Sequence, residues 1–339
     1  MKSSASFPSS MPVRQGILCV AIAAAAWGTG GAAAAELYRV GGLGPISVSF
    51  WRFLAGLVLL LAAHVVRRSR RRSTVASLRA SFAGNKRLTL ITGLGLAVYQ
   101  TAYFAAVQQA GITVATVVTL GSGPVLVAVG ARFMLNERIG AFGAVFVAVG
   151  VAGLVVLTGS TGGAGGPDPR LGIGYALLSA AGYAGVTLLR RASSRKRVGG
   201  EFEATVAGFT VGTACLLPMA LLEGLLPGTG HVAWTMGLIF YLGAMPTALA
   251  YTLFFVALSV VRATTASVVA LVEPLTAAII GIAAFGERLD AIIVAGTVML
   301  LASVVFLAVG EGLQRKPSAS VAELEPDRGA PAVGFQNGT

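Results

Sequence analysis

The sequence predicts an all-α membrane protein with ten transmembrane helices in two inverted five-helix repeats. Composition is the first reason. The 339 residues are 55% hydrophobic and only 11% charged, with a mean hydropathy of +0.82, whereas a soluble domain carries about 25% charged residues. The second is a series of ten apolar runs, each near the roughly 20 residues a helix needs to cross the hydrocarbon core. The third is internal repetition. Pro124, Glu137 and Arg138 recur as Pro274, Glu287 and Arg288, an offset of 150 (274 minus 124), and Gly123 stands where the second copy carries Glu273.

The runs are 15–35, 45–66, 88–110, 112–133, 139–158, 170–189, 204–222, 233–258, 263–285 and 289–310. They are too continuous for the alternating faces of a membrane β-barrel. Runs three and four nearly touch at Ala110-Gly111, and the repeat is what separates them. The first run has a rival reading as a signal peptide, from Arg14 to the small residues Ala32 to Ala35. Its loss would leave one half a helix short. Glycine is abundant, with 45 residues, as suits helices that associate in lipid by close packing. Cys19 and Cys215 sit in apolar runs and read as buried thiols, not as a disulfide or a metal site. The expected organisation is a disordered N-terminus (1–14), a first repeat (15–158), a Gly-rich linker (159–169), a second repeat (170–310) and a disordered polar tail (311–339).

Charge sets the expected orientation. With the N-terminus in the cytoplasm, 21 of the 25 Lys and Arg residues fall on the inner side, leaving Arg39, Arg52, Arg170 and Arg288 outside. Both termini are then cytoplasmic, in a cell (inner) membrane. The net charge of +12 is explained by topology and calls for no nucleic-acid partner. The basic loop Arg67–Arg87 reads as a topology determinant, with anionic-lipid binding as the lesser alternative. Five runs per half make the second half enter the membrane from the opposite side. Inverted repeats suit alternating access, though channels and some membrane enzymes share them.

The segments Leu120-Gly-Ser-Gly-Pro124 to Asn136-Glu137-Arg138 and Leu271-Val-Glu-Pro274 to Gly286-Glu287-Arg288 resemble the two repeat signatures of EamA-type transporters, of the drug/metabolite transporter superfamily. Trp27-Gly28, Trp51-Arg52-Phe53 and the stretch from Gly243 through Tyr251 to Leu258 fit the same pattern. The resemblance covers roughly residues 15–310. The first half departs from it at Asn136 and Gly123, which leaves one acid in place of a symmetric pair. It implies a central cavity lined by the first, third, fourth, sixth, eighth and ninth helices.

Glu273 is the residue most expected to carry function. A charge at mid-span costs about 2.5–3.5 kcal/mol on insertion scales. Its helical neighbours Ala266, Ala270, Ala277 and Gly281 form a small-residue stripe that turns it toward the bundle. It reads either as a site for a substrate cation or a proton, or as a structural acid hydrogen-bonded to a neighbouring helix. Pro124 and Pro274, at matching places in the two halves, are expected to break their helices and free the carbonyls of Leu120 and Ala270. Trp27, Thr29, Tyr99, Gln100, Tyr103, Tyr183 and Tyr251 lie deep in their runs. Each reads as substrate-binding or as packing. Arg52 could bind an anionic group, and is more strongly expected to snorkel outward or make a gate contact. The acids of Glu137-Arg138 and Glu287-Arg288 are expected to offset the dipole of the helix each begins.

Enzyme chemistry has little support. His64 and His231 fall on opposite membrane sides, and no catalytic triad, clustered metal ligands or nucleotide-binding loop is present, so no cofactor or metal is expected. The expected function is export of small organic metabolites, amino acids or drugs by alternating access, driven by a proton gradient or by the substrate gradient. Facilitated uptake is the rival within transport, and a membrane receptor or lipid-modifying enzyme the rival outside it. Homodimerisation is left open.

Overall fold

The computed structural model describes residues 11–68, 86–134, 141–159, 166–192, 201–257, 260–261, 265–266 and 269–314. The expectations for most of both chain ends, of the Arg67–Arg87 loop and of the Gly-rich linker, and for Glu137-Arg138, lie outside these residues; at the ends, 13–14 and 311–314 are helical where disorder was expected. The described chain is helical, with no strand. The helices are α1 (Val13–Gly41), α2 (Pro45–Arg68), α3 (Lys86–Ala110), α4 (Ile112–Met134), α5 (Ala141–Gly159), α6 (Pro169–Ala192), α7 (Glu201–Glu223), α8 (Val232–Gly243), α9 (Ala250–Ala257), α10 (Val272–Phe285) and α11 (Ala291–Gln314). A π-helical turn, Ala244–Leu249, joins α8 to α9 in one continuous span.

Among the described residues, seven helices are long and apolar enough to cross a membrane. Three further apolar helices, Gly143–Leu157, Val272–Phe285 and Ala291–Phe306, are shorter. The ninth predicted run is where expectation and structure part most. Thr265, Ala266 and Val269 are helical, so the run is divided in two and not continuous. The chain makes a turn at Ala270-Leu271, and α10 starts only at Val272.

The two halves interleave. α1 packs on α9 and α10, α2 on α7 and α8, α3 on α6 and α7, α4 on α6, and α5 on α11. Most of the packing therefore crosses between the 13–159 and 169–314 segments. The main core gathers Leu37, Phe104, Ile112, Val118, Leu157, Leu242, Ala277 and Leu300 from both. Leu18, Val58, Leu94, Val155, Leu178, Phe240, Ile279 and Val298 face outward, as a lipid-bathed surface requires.

Helix ends follow local chemistry. Gly42 and Gly286 take left-handed φ values of 62° and 67° after α1 and α10, a conformation glycine adopts without a Cβ penalty. Gly111, at φ 85°, is the single residue between α3 and α4.

Candidate functional site

The site is built around the start of α10. Leu271 precedes the helix, and Glu273 stands in its first turn. The carbonyl of Ala270 accepts the Glu273 N–H at 2.9 Å. Pro274 therefore frees no carbonyl and kinks nothing. It occupies a position whose N–H has no intrahelical partner in any case, and the expectation of a mid-helix proline is corrected here. Pro124 differs, lying inside the continuous helix α4. Glu273 is correspondingly not a mid-helix acid. It sits at the positive end of a short helix, where a carboxylate is favoured.

The neighbouring helix is cut to fit. A Cβ on Gly28 of α1 would stand 2.6 Å from the Glu273 carbonyl oxygen and 2.8 Å from the Thr276 Cβ. Only glycine lets α1 approach the break this closely. Gly28→Val is expected to overpack this contact at a cost of roughly 1–3 kcal/mol, read as a lowered melting temperature in detergent. An unshifted melt would show that α1 tolerates displacement.

The aromatic residues gather around this point. The Trp27 ring meets Tyr251 at 5.5 Å and Phe254 at 5.2 Å, both edge-on. Tyr99 faces Tyr183 at 5.8 Å. Tyr183 in turn lies over Gly123, whose added Cβ would be 3.2 Å from its ring. The position that matches Glu273 in the first half is thus covered by an aromatic face. Tyr103 shares a 2.9 Å hydrogen bond with Thr116 and packs beside Phe104. Thr29 accepts from Tyr241 at 2.7 Å. Trp27, Tyr99, Tyr251 and Glu273 are half-buried although they lie well inside the bundle's helices. The Gln100 amide nitrogen and Trp27 Nε1 are buried without a hydrogen-bond partner.

Arg52 corrects a second expectation. It does not snorkel; it is 7% exposed. Its Nε donates to Thr247 Oγ1 at 3.2 Å and a terminal nitrogen donates to the Pro246 carbonyl at 3.5 Å. The guanidinium also lies 5.5 Å over the Phe104 ring. Both acceptors belong to the π-helical turn, whose wider ring leaves backbone groups to be satisfied from outside. Along α1, a Cβ added at Gly28, Gly30 and Gly31 would stand 2.6 Å from the Glu273 carbonyl oxygen, 3.4 Å from an Arg52 terminal nitrogen and 2.8 Å from the Tyr103 hydroxyl. The structure thus places Glu273, Arg52 and Tyr103 against α1, which also carries the Trp27–Tyr251 contact, and sets Tyr99 against Tyr183.

The sequence model of the EamA-like transporter family matches residues 14–159 and again 170–309. The chain belongs to the EamA-like transporter family. An uncharacterized transporter of Archaeoglobus fulgidus is 30% identical over 217 residues, covering 63% of this chain and 74% of the relative. Another, from Bacillus subtilis, is 27% identical over 241 residues, covering 69% and 77%. A solved crystal structure aligns with a TM-score of 0.58 at 19% identity, over 89% of this chain and 99% of that one; it supports the fold. With its many apolar helices, this EamA-like transporter is a multi-pass membrane protein.

One end of the transporter is held by two carboxylates, the buried Glu287 and the exposed Glu223. Glu287, 7% exposed, accepts the backbone N–H groups of Ile112 and Thr113, the latter at 3.1 Å. It caps α4, not the helix it precedes, which corrects the dipole expectation. Glu223 accepts from Ile46 at 3.2 Å and Ser47 at 2.6 Å, at the start of α2. The same end is tied by Gly228 N–H to Gly41 O, by Asp168 N–H to Gln109 O, and by Trp51 Nε1 to Leu225 O. The first-turn N–H groups of α2 and α4 are orphans by helix geometry, so each carboxylate satisfies two of them at once. No local pattern announces these pairs. Their partners are 174 to 177 residues apart.

Proposed function

We propose that this EamA-like transporter is a secondary transporter exporting small organic metabolites, amino acids or drugs by alternating access, with proton coupling through Glu273. Its ten apolar segments are read as ten crossings in two inverted halves, in an inner membrane with both termini cytoplasmic. The 21-to-4 distribution of basic residues supports that orientation.

The observation that carries the reading is the interrupted ninth segment. A carboxylate stands in the first turn of a short helix, half-buried, amid aromatic faces from α1, α3, α6 and α9. Interrupted helices at the interface of two repeats are where secondary transporters bind substrate and coupling ion. The positive end of α10 is already countered by its own Glu273. This end therefore suits a proton or a cationic group better than an anion.

Sealed proteoliposomes loaded with labelled amino acids and cationic drugs test this. Release is expected to accelerate with an imposed pH gradient, and Glu273→Gln, which keeps the shape but cannot ionise, is expected to abolish that acceleration. A variant that still responds to the gradient like the wild type would remove Glu273 from the coupling step. Release indifferent to the gradient in both proteins would favour a facilitator.

A further inference from the structure

The π-helical turn between α8 and α9 is held from within and from without. Pro246 lies in it and has no N–H, so the Leu242 carbonyl four residues back loses its ordinary helical partner. The Thr247 hydroxyl takes that place, donating to the Leu242 carbonyl oxygen at 2.8 Å. The same hydroxyl oxygen accepts Arg52 Nε at 3.2 Å, and the Pro246 carbonyl accepts a terminal nitrogen of Arg52 at 3.5 Å. Thr247 is fully buried. Both neighbouring helices are cut back to admit this joint. A Cβ on Gly56 of α2 would collide with the Thr247 side chain, and one on Gly30 of α1 would stand 3.8 Å from Pro246 Cβ. Gly243, the residue before the turn, brings α8 against the α2 backbone, where its added Cβ would lie 2.9 Å from the Ala55 carbonyl carbon. Burying a guanidinium is costly unless it is hydrogen-bonded. The hydrogen bonds that Arg52 has are to the turn.

A π-helical turn carries one residue more than the α-helical turn it replaces. Each residue of an α-helix turns the chain by about 100° and advances it by about 1.5 Å. Relaxation of this turn to α-helical pairing would therefore swing every side chain of α9 by about 100°. Tyr251 and Phe254, three residues apart, share the face of α9 that meets Trp27 edge-on, at 5.5 and 5.2 Å. We propose that Arg52 and Thr247 are positioning residues: together they hold the π-helical turn, which sets the register of α9 and presents Tyr251 and Phe254 to Trp27. Arg52 acts through the turn, and Thr247 is the link between its guanidinium and the carbonyl that Pro246 leaves free. This rests on the transport reading above and adds which residues fix the aromatic members of its site.

The experiment uses full-length protein. Trp51→Phe and Trp234→Phe leave Trp27 as the single tryptophan. In that parent, Thr247→Val and Arg52→Gln are expected to shift the Trp27 emission to the red and make it more readily quenched by acrylamide, because both rings leave it. Thr247→Ser keeps the hydroxyl and is expected to match the parent. Elution as a single detergent-solubilised species verifies folding, and Thr247→Val, which keeps the side-chain shape, carries the test if Arg52→Gln does not fold. With Trp51 and Trp234 restored, counterflow in proteoliposomes compares labelled phenylalanine with labelled alanine. Thr247→Val is expected to raise KM for phenylalanine about two- to tenfold, the value of one edge-on aromatic pair, and to leave KM for alanine unchanged. Emission that stays with the parent in both Thr247→Val and Arg52→Gln overturns the proposal, because the register then holds without them. So does a red shift in Thr247→Ser equal to that in Thr247→Val. Equal KM changes for the two amino acids would make the pair scaffold with no role at the site. Wild-type protein that carries neither amino acid overturns the transport reading for amino acids, while the emission still decides the positioning role.

Discussion

Glu287→Ala is expected to destabilise the protein by roughly 2–4 kcal/mol, because two buried N–H donors at the start of α4 lose their only shared acceptor. Ile112 and Thr113 are 1% exposed, so bulk water does not replace the carboxylate. Glu287→Gln keeps one acceptor oxygen and is expected to recover about half of the loss. Thermal unfolding of the detergent-solubilised variants checks this. A Glu287→Ala melt within error of the wild type would mean that the α4 terminus is satisfied in some other way.

The second large effect is expected where α5 meets α11. A Cβ on Gly153 would stand 3.0 Å from the Gly296 carbonyl oxygen, and one on Gly296 would stand 2.8 Å from the Gly153 carbonyl oxygen. The two backbones lie against each other, and backbone cannot rotate aside as a side chain can. Phe146 and Phe306 stack nearby at 4.4 Å and hold the same pair of helices. Gly153→Leu and Gly296→Leu are each expected to cost about 1–3 kcal/mol by forcing the helices apart. Combined, they are expected to cost less than their sum, since one separation relieves both clashes. Gly174→Leu is the control, as nothing lies within 4 Å of its added Cβ. Yield of monodisperse protein and melting temperature report the outcome. Equal behaviour of all three variants would refute close packing at this interface.

Much of the fold was legible because lipid imposes a coarse rule. Apolar length marks the helices, and Gly or Pro with flanking charge marks their ends. Gly111 and Gly286 sit where runs were expected to stop, whereas α1 continues past the expected end at 35 to Gly41, before Gly42. The break before Glu273 was not legible. Residues 263–285 carry no charge apart from the acid, so a hydropathy average passes straight over a turn at Ala270-Leu271. Pro274 carried the signal, but for a first-turn position in place of a kink. The site's aromatic members were found because large polar-edged side chains inside apolar runs are few. Arg52 and Glu287 were misread because their partners are 195 and 174 to 175 residues away. Local spacing holds no trace of such contacts.

The joint between α3 and α4 has a mechanical consequence. Gly111 alone connects them, its N–H bonded to Val107 O and its carbonyl to Ala115 N–H. There is no slack in such an elbow, so the two helices cannot slide past one another. Glu287 fastens it to the chain beyond α10, and Asp168 fastens it to the chain before α6. If the proposed alternating access proceeds by rocking, this point is its expected fulcrum. Distances measured across it should hardly change between states, while those at the far ends of α3 and α4 should change most, as the arms of a lever do.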